Sequence, residues 1–218
     1  MIESNVVNDT ISFVKKQLQK AEGGHDWFHI ERVYKLALRI AQHESDVDIL
    51  VVQLAALLHD IADSKFHDGD ETIGPRLARE FLITQQLPEA QLEQVIVIIE
   101  NISFKGGNQA QTYFSKELAV VQDADRLDAI GAIGIARTFN FGGFKNRPLY
   151  DPAIPPDLQL SKEAYKKSTA PTLNHFYEKL LRLKDLMHTE TARELAAERH
   201  QFMELFLSRF YAEWEGEA

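Results

Sequence analysis

The chain has 218 residues, 44% hydrophobic, with a formal net charge of −9 and no cysteine. That length allows one to two domains and enough apolar mass for a core, so disorder of the whole chain is excluded. The missing cysteines exclude disulfides, thiolate-held zinc, iron–sulfur clusters and a cysteine nucleophile, so any metal must sit on nitrogen and oxygen. The acidic balance argues against binding a nucleic-acid backbone, which needs a concentrated basic face, but leaves room for a small phosphorylated ligand. The N-terminal stretch has no signal pattern and no run approaches ~20 apolar residues, so a soluble, cytoplasmic protein without a membrane partner is expected.

The spacing of apolar residues predicts an all-α chain. A first helix is expected through Ile11, Val14 and Leu18, closing at Gly23-Gly24. A second places Ile30, Val33, Leu36, Ala37, Ile40 and Ala41 on one face and Glu31, Lys35, Arg39 and Gln42 on the other. Residues 47–62 are apolar almost all round, which predicts a central helix buried on several sides and ended by His59 and Asp60. After the loop FHDGD, a helix from Glu71 or Pro75 to Gln86 is expected, then one opened by Pro88 and ended by the loop FKGGNQAQ.

A further helix runs from Ser115 through QDADRLDAIGAIGIARTF, and 140–159, with Gly142-Gly143 and four prolines, reads as a long irregular loop. Two closing helices, 161–186 and 189–214, follow, with Pro171 a break or restart in the first. There is no internal repeat, and one helical domain over 1–218 with a functional loop is the expected organisation.

Polar groups at positions where the helical pattern expects apolar ones carry the chemistry, because burying them costs free energy unless a partner or metal satisfies them. His29 lies four residues before Val33 and seven before Leu36, on the inward stripe of the second helix. His59 is in phase with Val52, Ala55 and Ala56, and Asp60 follows at the helix end. Asp125 is in phase with Leu118 and Val121. Two imidazoles and two carboxylates on three segments would make one centre for a single divalent ion: manganese, magnesium, iron, cobalt, nickel or zinc. Four protein ligands leave positions on an octahedral ion for a water and a phosphate oxygen, the requirements of metal-assisted phosphoryl hydrolysis.

The strings GHDWFHIERV, HDIADSKFH and QDADRLDAIGAIGIART resemble the HD-domain superfamily of metal-dependent phosphohydrolases, over about 27–137. More closely they are similar to the YpgQ-like and YedJ-like branch of small bacterial HD proteins, which extends the resemblance over most of the chain. The resemblance maps the ligands to His29, His59, Asp60 and Asp125, with His25 and Asp123 as alternates for the first and last. It implies manganese as the metal, hydrolysis of (deoxy)nucleoside triphosphates to monophosphate and pyrophosphate, and an acidic residue shortly after the paired Asp, here Asp63, that orients or deprotonates the water.

Candidate phosphate clamps, by position, are Arg32, Lys65, Lys105, Arg126 and Lys145. Phe66, Phe104, Tyr113 and Phe144 are candidates to stack a base, with core packing the alternative. The glycines form no phosphate-cradling or dinucleotide motif, and the pair in GAIG is expected to permit close helix packing. His67 and His175 lack the spacing of a second metal site. Two alternatives stay within the hydrolases, a nucleoside 5′-monophosphate phosphatase or another HD phosphodiesterase. A third is a non-catalytic metal- and nucleotide-binding regulator.

Overall fold

A computed structural model describes residues 2–20, 26–62, 70, 72–102, 113–159, 164 and 168–217. Among these residues there is helix and no strand, an all-α architecture. The elements are α1 (Ile2–Gln17), continued by a 3-10 turn at Leu18–Lys20, then α2 (Trp27–Ala41), α3 (Ile49–Leu58), α4 (Ile73–Ile83) and α5 (Glu89–Asn101). There follow α6 (Lys116–Asp128), α7 (Gly131–Phe144), the short α8 (Asn174–Glu178), a 3-10 helix at Leu180–Leu186 and the long α9 (Glu190–Trp214). No described helix is long and apolar enough to cross a membrane. The chain forms two compact units, Met1–Asp125 and Arg126–Ala218, with the boundary falling inside α6.

In the first unit α3 is the centre, packed against α1, α2 and α5. Leu54, Ala55, Ala56, Leu57 and Leu58 are fully buried, as an all-round apolar helix requires, and each such leucine contributes about 1.5–3 kcal/mol of burial. The Asp48 side chain caps α3, accepting from the backbone N–H groups of Leu50 and Val51 at 3.0 and 3.1 Å. The same residue ties α3 to its neighbours: its own N–H donates to Glu117 on α6 (3.0 Å), and Gln91 on α5 donates to its carboxylate (2.8 Å). Gln94 donates to the other Glu117 oxygen (2.9 Å), so the buried carboxylate of Glu117 is satisfied and the starts of α3 and α6 are held together.

The first helix begins at Ile2, well before the expected Ile11. Its inward stripe is Val6, Thr10 and Val14, and the fully buried Thr10 hydroxyl donates to the Val6 carbonyl at 2.7 Å. A polar residue on the stripe hid the start of the helix from an apolar count. Gly23-Gly24 and the loop FKGGNQAQ lie outside the described residues, as does FHDGD except for Asp70.

The single helix expected from Ser115 to Phe139 is two, α6 and α7. Ile130 is extended and Gly131 has φ +74°, a left-handed conformation that favours glycine. Arginine side chains take the carbonyls at the end of α6: Arg199 donates to Leu127, and Arg137 donates to the Asp128 carbonyl (3.3 Å) and carboxylate (2.8 Å). A second correction concerns 140–159, because α7 continues through Phe144 and only the stretch after it is irregular. Gly142 is buried where a Cβ would stand 2.2 Å from the Thr172 hydroxyl, so this glycine serves a close approach rather than a turn. Of the helix expected over 161–186, residues 161–163 and 165–167 lie outside the described residues and residue 164 is helical, while after Pro171 the chain holds α8 and the 3-10 helix at Leu180–Leu186. Phe139, Phe176, Phe206 and Phe210 join α7, α8 and α9 through ring contacts of 5.8–6.4 Å.

Candidate metal centre

The candidate ligands stand at or near helix ends: His29 in the first turn of α2, His59 and Asp60 just after α3, Asp125 in the last turn of α6. Asp26 caps α2 by accepting from the His29 N–H at 3.1 Å, which sets His29 in the first turn with its side chain 2% exposed. His59 is the residue at which α3 stops, and its side chain is 4% exposed. Its Nδ1 lies 2.9 Å from the Ala56 carbonyl. A carbonyl only accepts, so Nδ1 carries a proton in either charge state, and when the ring is neutral its lone pair is on Nε2. That Nε2 is buried and has no hydrogen-bond partner.

Asp125 on α6 faces both rings. Its Oδ1 is 3.5 Å from His29 Nε2 and 3.7 Å from His59 Nε2, while Asp60 Oδ2 is 3.9 Å from His29 Nε2. The imidazoles meet edge-on at 71°, centroids 5.4 Å apart. One donor atom from each of His29, His59 and Asp125 lies within 4.8 Å of the others. An ion with bonds of about 2.1 Å holds its donors about 3–4.2 Å apart, so separations of 3.5 and 3.7 Å suit a bound cation. The donors also fit: two neutral nitrogens, a carboxylate oxygen and a second carboxylate alongside, with a buried lone pair that no protein group satisfies.

Burial alone pulls the His59 pKa down, but the Asp125 and Asp60 carboxylates and the Ala56 carbonyl outweigh it and hold the value above the ordinary histidine range. In the metal-free protein this imidazolium therefore contributes stability that is complete below the unfolded pKa of about 6.5 and is lost as pH rises through the raised folded value. A cation competes with that proton for Nε2. Divalent-ion affinity is thus expected to fall by up to about tenfold per pH unit on the acid side of the folded pKa, with proton release on binding. Calorimetric titration between pH 5.5 and 8 measures this, and an affinity independent of pH would contradict it.

The other sequence candidates are distributed as follows. Arg32 stands on α2, one turn beyond His29, and Asp123 on α6 is fully buried. Arg126 opens the second unit, where its guanidinium meets the Leu186 carbonyl and His188. Lys145, also in the second unit, lies over the rings of Phe141 and Phe144 at 5.7 and 5.1 Å, and that Phe144 ring is exposed. His175 is on α8 and Tyr113 is half-buried just before α6. His25, Asp63, Lys65, Phe66, His67, Phe104 and Lys105 lie outside the described residues. In GAIG, Gly131 admits the Arg199 side chain of α9, as close packing requires, whereas Gly134 makes room for the Ala129 carbonyl in the α6–α7 break.

One residue beside the ligands was overlooked in the sequence. Gln122 is 3% exposed and donates to the Asn101 carbonyl (3.0 Å) at the end of α5, fixing α6 just before its carboxylates. The signal was present, since Gln122 is a polar residue in phase with buried ones.

The HD domain family matches residues 27–130, which contain all four candidate donors. YpgQ of Bacillus subtilis, an uncharacterized protein, is 41% identical over 199 residues, covering 90% of this chain and 87% of its own length. Among solved structures, an HD-superfamily hydrolase from Bacillus thuringiensis is 42% identical with a TM-score of 0.77, covering 98% of both chains. The B. subtilis YpgQ structure in complex with ADP is 37% identical with a TM-score of 0.77, covering 98% of this chain and 97% of that one. The chain belongs to the HD superfamily of hydrolases.

Proposed function

We propose that the protein is a divalent-metal-dependent phosphohydrolase that cleaves ribo- and deoxynucleoside triphosphates to the monophosphate and pyrophosphate. The observation that carries this reading is the buried, unpartnered His59 Nε2 facing Asp125 and His29. His29, His59, Asp60 and Asp125 would hold the ion. When bound, such an ion polarises a phosphoryl oxygen and lowers the pKa of a water. The protein's own part is positional: the Ala56 carbonyl fixes the His59 tautomer, and the cap at Asp26 fixes the turn that carries His29.

Asp63, three residues beyond Asp60, is the proposed group that orients or deprotonates the attacking water. Attack at the α-phosphorus breaks its bond to the bridging oxygen, and pyrophosphate leaves. Arg32, Lys65, Lys105 and Lys145 are the proposed phosphate contacts. The ADP complex of B. subtilis YpgQ supports a nucleotide as ligand. Arg126, whose guanidinium meets the Leu186 carbonyl and His188, is left out of these contacts.

The test is a nucleotide panel with manganese, reading pyrophosphate and orthophosphate separately, for the native chain and Asp60→Ala. Pyrophosphate release that falls at least about a hundredfold in the variant is the expected result. Orthophosphate from monophosphates alone would move the assignment to a phosphatase. Binding without turnover would make the protein a regulator.

A further inference from the structure

The two helices that end at the metal centre are also tied to each other at their far ends. Asp48 caps α3 and Glu117 stands in the first turn of α6. The Asp48 N–H donates to one Glu117 oxygen at 3.0 Å, and Gln94 of α5 donates to the other at 2.9 Å. Gln91, in the first turn of α5, closes the group by donating to the Asp48 carboxylate at 2.8 Å. At the opposite ends His59 closes α3 and Asp125 stands in the last turn of α6, with His59 Nε2 and Asp125 Oδ1 3.7 Å apart. Both helices therefore run from the carboxylate pair to the ion site, over about 16 Å from Asp48 to His59 and about 12 Å from Glu117 to Asp125.

The starts of α3, α5 and α6 thus share one corner, where positive dipole ends oppose one another unless negative charge stands between them. Asp48 and Glu117 supply that charge. The negative ends of α3 and α6 are left at the cation site, where they favour a positive ion. From this arrangement we infer that Glu117 is a positioning residue for the metal centre. Through Asp48 it fixes the register of α6 against α3, and with it the placement of Asp125 beside His59. The inference rests on the metal-binding reading given above. A helix is stiff along its axis, so a slip at its start is carried to its end. Metal–ligand bonds hold to about ±0.2 Å, so a slip by a fraction of the ~1.5 Å rise of one residue is enough to weaken them.

Calorimetric titration of the full chain with manganese, and separately with zinc, tests this. Glu117→Gln keeps the shape of the side chain but sets its amide nitrogen against a donor, that of Gln94 or the Asp48 N–H. It is expected to weaken manganese binding about tenfold or more. The manganese-to-zinc ratio should change as well, because the two ions differ in preferred geometry, whereas a general loss of stability lowers both affinities alike. Adding Gln94→Glu returns an acceptor opposite the new donor at the same net charge, and should restore both constants. Gln91→Met removes only the bond to the Asp48 carboxylate and should lower affinity by a smaller factor; it reports on the same group of bonds should Glu117→Gln fail to fold. A native chain that binds neither ion overturns the metal reading and this inference with it. A native chain that binds, with the single variants binding equally well, overturns the inference alone. So does a loss that falls equally on both ions, or one that the double substitution fails to reverse.

Discussion

His59→Ala is expected to abolish stabilisation by manganese and to lower hydrolysis by about three orders of magnitude, since a lost ligand forfeits several kcal/mol of transition-state charge stabilisation. The imidazole is at once the end of α3, a donor through Nδ1 to Ala56 and the owner of a buried lone pair that faces Asp125. Alanine keeps the helix and removes the donor. For the native chain, metal at about a hundred times its dissociation constant should add about 2.7 kcal/mol of stability. Thermal unfolding with and without manganese measures the difference, and the variant should show none. A metal-induced rise in Tm that survives His59→Ala would place the ion elsewhere.

The second large effect concerns the break between α6 and α7. A Cβ at Gly134 would stand 2.2 Å from the Ala129 carbonyl oxygen and 2.5 Å from its carbon. That backbone has little freedom to retreat, because Arg137 holds the adjacent Asp128 carbonyl and carboxylate. Helix propensity favours alanine over glycine by about 1 kcal/mol, but a clash with backbone outweighs it, and Gly134→Ala should cost about 2–3 kcal/mol. Gly143, in the same helix, has nothing within 4 Å of a Cβ and is exposed, so Gly143→Ala should add up to about 1 kcal/mol. Urea unfolding of the two variants gives opposite signs if this account is right, and a neutral Gly134→Ala would refute it.

The comparison of these two glycines shows where sequence reading stops. Gly131, Gly134, Gly142 and Gly143 all sit in apolar, helix-like surroundings, and the sequence treats them as turn or packing signals alike. Only the folded chain separates them: a left-handed φ at Gly131, a carbonyl against Gly134, the Thr172 hydroxyl against Gly142, open space at Gly143. The helix break at 129–130 was invisible for the same reason, since the carbonyls at the end of α6 are satisfied by side chains outside that helix, Arg137 on α7 and Arg199 seventy-two residues beyond Leu127.

By itself the sequence determined the all-α class, the central burial of α3 and the resemblance to HD proteins, and it singled out His29, His59, Asp60 and Asp125. These are local properties: helical periodicity records which face is inward, and a polar residue on that face stands out whatever it touches. The tertiary structure decided the rest. It brought His29, His59 and Asp125 from three helices to within 4.8 Å, directed the His59 proton to Ala56 so that Nε2 faces Asp125, and left Asp125 half-exposed at the rim of the cluster. Such distances and tautomers depend on contacts between residues dozens of positions apart, and periodicity carries no information about them.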